Sequence, residues 1–197
     1  MIKMKKLLYT AFAILGFANL SLAQVASEGS SHVYLGLGVP NPWYSTLSLL
    51  SQAYPESPSG TSFGPISINY EYAIKDKITV GGTFGYSSVS IPVVYSALNM
   101  DYKMNLSIMY VGAIGHYHYL NSDKSDLYSG IGLVYTSVSL NTEGNTGSNY
   151  NPVINIGGTG VLLDLIGYRY MFTDNIGAYA TINYGLAPVN IGLSGKF

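Results

Sequence analysis

The chain has 197 residues and a net charge of −1, with charged residues at only 10%, against roughly 25% in ordinary soluble domains. It contains 19 Tyr, 23 Gly and no Cys, which excludes disulfides, thiolate metal sites, a Cys nucleophile and a lipoprotein anchor. Nine basic residues without a basic stripe exclude the phosphate contacts of a nucleic-acid binder.

Met1 to Lys6 is short and basic, Leu7 to Leu15 is nearly all apolar, and Ser21-Leu22-Ala23 gives a small-x-small site before Gln24. This layout predicts a secretory signal peptide over residues 1–23, cleaved after Ala23. The apolar run is shorter than the ~20 residues a spanning helix needs. Cleavage leaves six basic and ten acidic residues, a net −4, on residues 24–197, read as one domain. Beyond the signal no stretch approaches the ~18 apolar residues of a membrane helix. An exported chain that is apolar overall, but only at every second residue, predicts a transmembrane β-barrel.

Ser31 to Val39 reads as the first strand, with Val33, Leu35 and Leu37 or their neighbours facing lipid, and Pro40 and Pro42 stop it. In Asn41 to Ser62 the surrounding Ser and Pro favour a surface loop over the short rim helix that Trp43, Tyr44, Leu47, Leu49 and Leu50 could form. The second strand alternates Ile66, Ile68, Tyr70, Tyr72 and Ile74 with Ser67, Asn69, Glu71 and Ala73. Lys75-Asp76-Lys77 turns the chain. The third strand sets Ile78, Val80, Gly82, Phe84 and Tyr86 against Thr79, Gly81, Thr83, Gly85 and Ser87, completing a hairpin with matched faces.

Ile91 to Met104, with Pro92, reads as a connection. Along the fourth strand, Asn105 to Leu120, the phase is ambiguous. Placing Met109, Val111, Ala113, Tyr117 and Tyr119 outward turns His116 and His118 inward, and a bulge near Ser107 or Ile108 would absorb Leu106, Ile108 and Tyr110. Asn121 to Asp126 is a polar turn. The fifth strand, Leu127 to Leu140, faces Ile131, Leu133 and Tyr135 out and Gly130 and Gly132 in. Asn141 to Gly158 reads as a loop, and the sixth strand runs from Thr159 to Phe172.

Asp164 and Arg169 stand five apart, so a regular strand would point one of them at lipid. Turning Arg169 inward makes Tyr168, Tyr170 and Phe172 a girdle and requires a bulge for Asp164, expected at Gly167. After Thr173-Asp174-Asn175 the seventh strand spans Ile176 to Tyr184. Gly185-Leu186-Ala187-Pro188 turns into a last strand with Val189, Ile191, Leu193, Gly195 and Phe197 on one face.

The polar turns centre on Asp76, Asp123 and Asp174, with long connections between them, and seven of eight prolines fall in or beside those connections. Short turns on one side and long loops on the other suit a closed antiparallel barrel of about eight strands, with turns periplasmic and loops outside. Tyr70, Tyr72, Tyr117, Tyr119, Tyr168 and Tyr170 gather near strand ends as an interfacial girdle.

The run G-Y-R-Y-M-F-T-D-N-I-G-A-Y-A-T-I-N-Y-G, followed by a strand closing on Phe197, resembles the end of small bacterial outer-membrane barrels of the OmpA/OmpX-like superfamily, in its Bacteroidetes-type porin-family branch. The resemblance covers the final fifth of the chain best. It implies an integral outer-membrane location and an assembly signal at Tyr184, Val189, Ile191, Leu193 and Phe197, read by the barrel-assembly machinery. Many relatives carry Glu where this chain has Thr181, so any role of that acid does not carry over. No peptidoglycan-binding domain is expected after Phe197.

His116 and His118 share a face but lack a third ligand with readable spacing, so no metal and no cofactor is expected. No Ser is arranged with His116-Tyr117-His118-Tyr119 for acyl transfer, so an enzyme is not expected. Gly157-Gly158-Thr159-Gly160 lacks the Lys-Ser/Thr of a phosphate loop. Glu71, Arg169, Lys196, His116 and His118 all lie near the turn side and are predicted to share one layer of a narrow lumen, with Glu71 paired to Lys196 across the first strand. An eight-stranded barrel is just wide enough to be filled by side chains. A structural or surface-interaction role is therefore expected, with outer-membrane lipid and a ligand of the outer loops as partners. A narrow solute channel is the alternative, and a lipid-modifying enzyme the third reading.

Overall fold

The computed structural model describes residues 25–51, 54, 56–146 and 152–197. The expected signal peptide lies outside the described residues. Among those described, eight strands close a barrel in chain order: β1 (Ser31–Val39), β2 (Thr61–Lys75), β3 (Ile78–Tyr95), β4 (Met100–Asn121), β5 (Ser125–Asn145), β6 (Val153–Met171), β7 (Ile176–Tyr184) and β8 (Val189–Lys196). Every neighbouring pair is antiparallel, and β1 closes on β8 from His32↔Lys196 to Val39↔Val189. Phe197 extends this seam by exchanging backbone hydrogen bonds with Ser31, 3.0 and 2.8 Å long.

The outward parity carries the apolar residues. Leu35, Ile68, Val80, Val111, Leu133, Val161, Ile182 and Leu193 are exposed around the wall. A soluble protein does not leave so wide an apolar belt in water, whereas lipid covers it without cost. The Tyr girdle sits at the turn end, where Tyr70 and Tyr168 bond Ser31 and Ser125 through their hydroxyls at 3.1 Å.

Several sequence expectations need correction. Pro42–Ser51 is an α-helix, α1, not a loop. Asn41 starts it: its Oδ1 accepts from the backbone N–H of Trp43 and Tyr44 at 3.1 and 3.2 Å, and Pro42 fills the first helical position, where no N–H is needed. Tyr44 and Leu47 then pack on Val89, Ile91 and Val93 of β3. Those three residues also explain why 91–104 is not a connection. The period of two continues through them, opposite Leu106, Met104 and Tyr102 of β4, so the hairpin runs on to Ser96. Pro92 is tolerated because β2 pairs with β3 only as far as Ser90, which leaves Pro92 on an edge.

The expected 141–158 loop is also mostly strand, since β5 reaches Asn145 and β6 begins at Val153. Residues 147–151 of that expectation lie outside the described residues. At 18, 22, 21 and 19 residues, β3 to β6 are about twice the ~9–11 residues that cross a bilayer. They stand above the barrel as a curved sheet, with α1 against part of its inner face.

The bulges fall elsewhere than expected. No register shift occurs near Ser107 or Ile108; β4 bulges at Tyr119, between His118 and Leu120. Leu106, Ile108 and Tyr110 simply face inward. Ile108, Tyr110 and Ile114 join Val134, Leu162 and Leu186 in an apolar cluster filling the outer half of the lumen. Leu186, from the β7–β8 turn, folds over that cluster and is buried. At the opposite mouth Val25 and Ala26 are buried beneath the barrel, held by Asn121 through Ala26 N–H to Oδ1 at 2.9 Å and Nδ2 to Ala26 O at 2.7 Å.

Candidate functional site

Between these two ends lies a layer of buried ionisable groups, and strand register brings it together. His32 stands opposite Glu71 on β2 and Lys196 on β8. Thr79 stands opposite His116, His118 opposite Tyr128, and Asp126 opposite Arg169. Their shared parity points them all inward.

His116 is the hub. Its Nδ1 lies 2.9 Å from Glu71 Oε1 and its Nε2 lies 2.7 Å from Asp164 Oδ2. Nε2 hydrogen-bonds Asp164, whereas Nδ1 meets Glu71 as a charge–charge contact without hydrogen-bond geometry; an imidazole held between two carboxylates is favoured as the doubly protonated cation. Glu71 Oε2 also accepts from Thr79 Oγ1 at 2.9 Å and from Tyr34 OH at 3.1 Å. His118 Nδ1 sits 2.7 Å from Asp126 Oδ1, and its Nε2 is 3.2 Å from Thr79 Oγ1. Arg169 donates through Nη2 to Asp126 Oδ2 and through Nη1 to Tyr34 OH. The Arg169 guanidinium also lies 5.1 Å from the Tyr34 ring centre and 5.9 Å from that of Tyr128. Every member of this layer is at least nine-tenths buried.

The layer fits because glycine leaves room for it. A Cβ on Gly130, directly across from His116, would stand 2.1 Å from that ring's Cδ2. Above the layer, Ser67 Oγ, Tyr179 OH and Asn183 Oδ1 are buried with no well-formed hydrogen bond to another described residue, and they line a cavity of about 10 Å³ with Asp164. That is roughly the space of one water molecule.

The structure thus brings Glu71, Arg169, His116 and His118 of the expected cluster into one network. Lys196 is buried at its turn-side edge, but the expected Glu71–Lys196 pair is not formed. Glu71 takes His116 instead, because both point to the centre of the lumen while Lys196 lies one strand away, beside His32. The sequence reading missed Asp126, His32, Tyr34 and Thr79 as members. Asp126, at the end of the expected turn, shares the parity of Tyr128, Gly130 and Gly132, and that is the signal that places it inside.

Asp164 joins the network through a bulge at Leu165, not Gly167. The pairing with β7 steps from Asp164↔Asn183 to Ile166↔Ile182, leaving Leu165 unpaired. Leu165 and Ile166 are consecutive exposed residues, and Asp164 and Arg169 both end up inside. Ser129 Oγ donates to the Leu165 carbonyl at 2.5 Å, satisfying the group that the bulge removes from the ladder. Among the described residues no group of three or more His, Cys, Asp or Glu is arranged to hold a metal ion.

The expected assembly-signal residues lie along one outer seam: Tyr184, Ile191, Leu193 and Phe197 are exposed and Val189 is half-buried.

An eight-stranded ring with an apolar exterior and a side-chain-filled interior defines the architecture of the small outer-membrane β-barrels, and the chain has this OmpA/OmpX-like fold. It is similar to the attachment invasion locus protein Ail of Yersinia pestis, solved with the heparin analogue sucrose octasulfate. The identity is 13%, covering 86% of this chain and 99% of that one, with a TM-score of 0.50. Two Pseudomonas aeruginosa structures also match: the N-terminal barrel of OprF at 14% identity (86% and 98% covered, TM-score 0.46), and OprG at 11% (87% and 97%, TM-score 0.46). No protein-family model and no curated protein sequence matches the chain.

Proposed function

We propose that the protein is an integral outer-membrane barrel, sealed to solutes, that acts through its outer surface. The observation carrying this reading is the buried layer of Glu71, His116, Asp164, Asp126 and Arg169, stacked beneath the apolar cluster of Ile108, Ile114 and Leu162. A solute would have to break several buried ion pairs and then cross an apolar zone, and breaking one such pair typically costs about 3–5 kcal/mol. The test is single-channel conductance of the refolded barrel in a planar bilayer. Silence is expected; steady, voltage-independent conductance would favour the narrow channel instead. Thr79 Oγ1, His118 and Asp126 stand in hydroxyl–imidazole–carboxylate order, but all three are fully buried within the sealed layer, so the enzyme reading stays third.

Residues 1–23 are assigned to export, and the seam from Tyr184 to Phe197 to recognition by the barrel-assembly machinery. The partner of the outer surface is not a polyanion of the kind bound to Ail. The connections and strand extensions on that side (40–62, 92–104, 141–158 and 185–188) carry Glu56, Asp101 and Glu143 but only Lys103, a net −2.

A further inference from the structure

The outward face of the sheet changes character above the bilayer belt. On the row through Tyr86 and Met109 it is still apolar. The next two rows, read across β3, β4 and β5, are Ser88–Ser107–Ser139 and Ser90–Asn105–Asn141, each in direct register. These six uncharged hydrogen-bonding side chains line an open cleft of about 430 Å³. Its lower wall is aromatic: Phe63 and Tyr86, with ring centres 6.3 Å apart and planes 51° to each other. Phe63 is 58% exposed. Ser90 Oγ donates to Asn105 Oδ1 at 2.7 Å. The Asn105 amide N–H groups have no protein acceptor among the described residues.

We propose that this cleft binds an uncharged saccharide, either a free glycan or the sugar headgroup of a glycolipid in the same leaflet. The inference rests on the surface-acting barrel proposed above and names its ligand class. Four features select that class. The volume lies within the ~300–1,000 Å³ of small-ligand sites, whereas a protein partner needs a flatter area of about 800 Å² on each side. No lining residue is charged, so neither an anion nor a cation is matched. Side-chain amides and hydroxyls, which donate and accept in one group, match the vicinal hydroxyls of a sugar. An aromatic face beside them accepts the C–H face of a pyranose through its quadrupole.

The experiment uses the full refolded chain in two arms. In detergent micelles, maltotriose, chitotriose and methyl β-glucoside are titrated by saturation-transfer NMR and calorimetry. In nanodiscs, the same measurement is made with and without monoglucosyl diacylglycerol. Saturable binding of at least one sugar is expected, weakened about tenfold, the scale of one lost hydrogen bond to a ligand, in Asn105→Asp and in Phe63→Ala. Heat-modifiable mobility should remain that of the parent, and Ser139→Ala provides a milder variant if either fails to fold. Binding confined to the nanodisc arm assigns the headgroup source; binding in micelles assigns the free glycan. No saturable binding in either arm, equal binding by parent and variants, or binding of a protein ligand alone through these residues would overturn the proposal. Conductance measured on the same preparation separates the two readings. A silent barrel that binds no sugar defeats only the cleft, and a conducting barrel that binds sugar defeats only the seal.

Discussion

Buried charge is costly, and this protein concentrates it around one side chain. His116 is gripped by Glu71 and Asp164 from opposite sides of its ring, and three buried carboxylates would overwhelm Arg169 alone. Replacing Glu71 with Gln should destabilise the folded barrel by about 3–5 kcal/mol, because His116 and Arg169 lose a buried counter-charge. The urea midpoint in detergent measures this, and an unchanged midpoint would contradict the network. Gly130→Ala is a steric counterpart. Its Cβ meets the His116 ring rather than a flexible chain end, so it should also destabilise, with the ring displaced from Asp164. Nitrogen-15 spectra of the parent should show both His116 ring nitrogens protonated at neutral pH, and loss of that signature in Gly130→Ala would tie the strain to the ion pairs.

At the level of elements, one inserted residue decides which face β6 presents. If Leu165 paired regularly instead of bulging, Asp164 and Arg169, five residues apart, would fall on opposite faces, since strand periodicity is two. Deleting Leu165 should therefore leave Asp164 and Arg169 four apart on a regular strand, both still inside, so the heat-modifiable folded band should be retained; a deletion variant that loses this band would count against the bulge assignment. Ser129→Ala removes only the hydroxyl on the Leu165 carbonyl and should cost about 1 kcal/mol. Outside the membrane, Ser96 donates its hydroxyl and its backbone N–H to Glu56 at 2.5 and 2.9 Å, holding that carboxyl below the usual carboxylate range. A lowered value in the folded loop means its support is complete above the ordinary range and lost as pH falls through the folded value. The protection factor of the Ser96 amide, its exchange rate measured against the intrinsic rate at each pH, should accordingly fall on acidification, and Glu56→Gln should abolish that acid step.

For the whole molecule, closure depends on β8 and on the Phe197–Ser31 backbone bonds. Phe197→Asp should leave the chain exported but mostly unfolded, because a carboxylate replaces an outward aromatic at the seam. Normal folded mobility of this variant in the outer-membrane fraction would count against an assembly role for the last strand.

The sequence by itself determined the barrel, because lipid outside and a filled lumen inside impose a strict alternation that any strand must show. The alternation of β2, β3, β7 and β8, the inward phase of His116 and His118, and the three turns around Asp76, Asp123 and Asp174 were all legible from it. What tertiary structure alone decided were the exceptions to that period. The bulge at Tyr119 leaves no mark in the sequence, and the Asp164–Arg169 spacing called for a bulge in β6 without placing it at Leu165, since a one-residue shift is fixed by pairing with neighbouring strands. The length of the β3–β6 extension was hidden because, above the membrane, the faces exchange roles: Ser and Asn turn outward while Val89, Ile91 and Val93 face α1. Pairing within the charged layer was equally out of reach. Partners across a lumen are set by ring closure rather than by spacing along the chain, so Glu71 meets His116 and not Lys196.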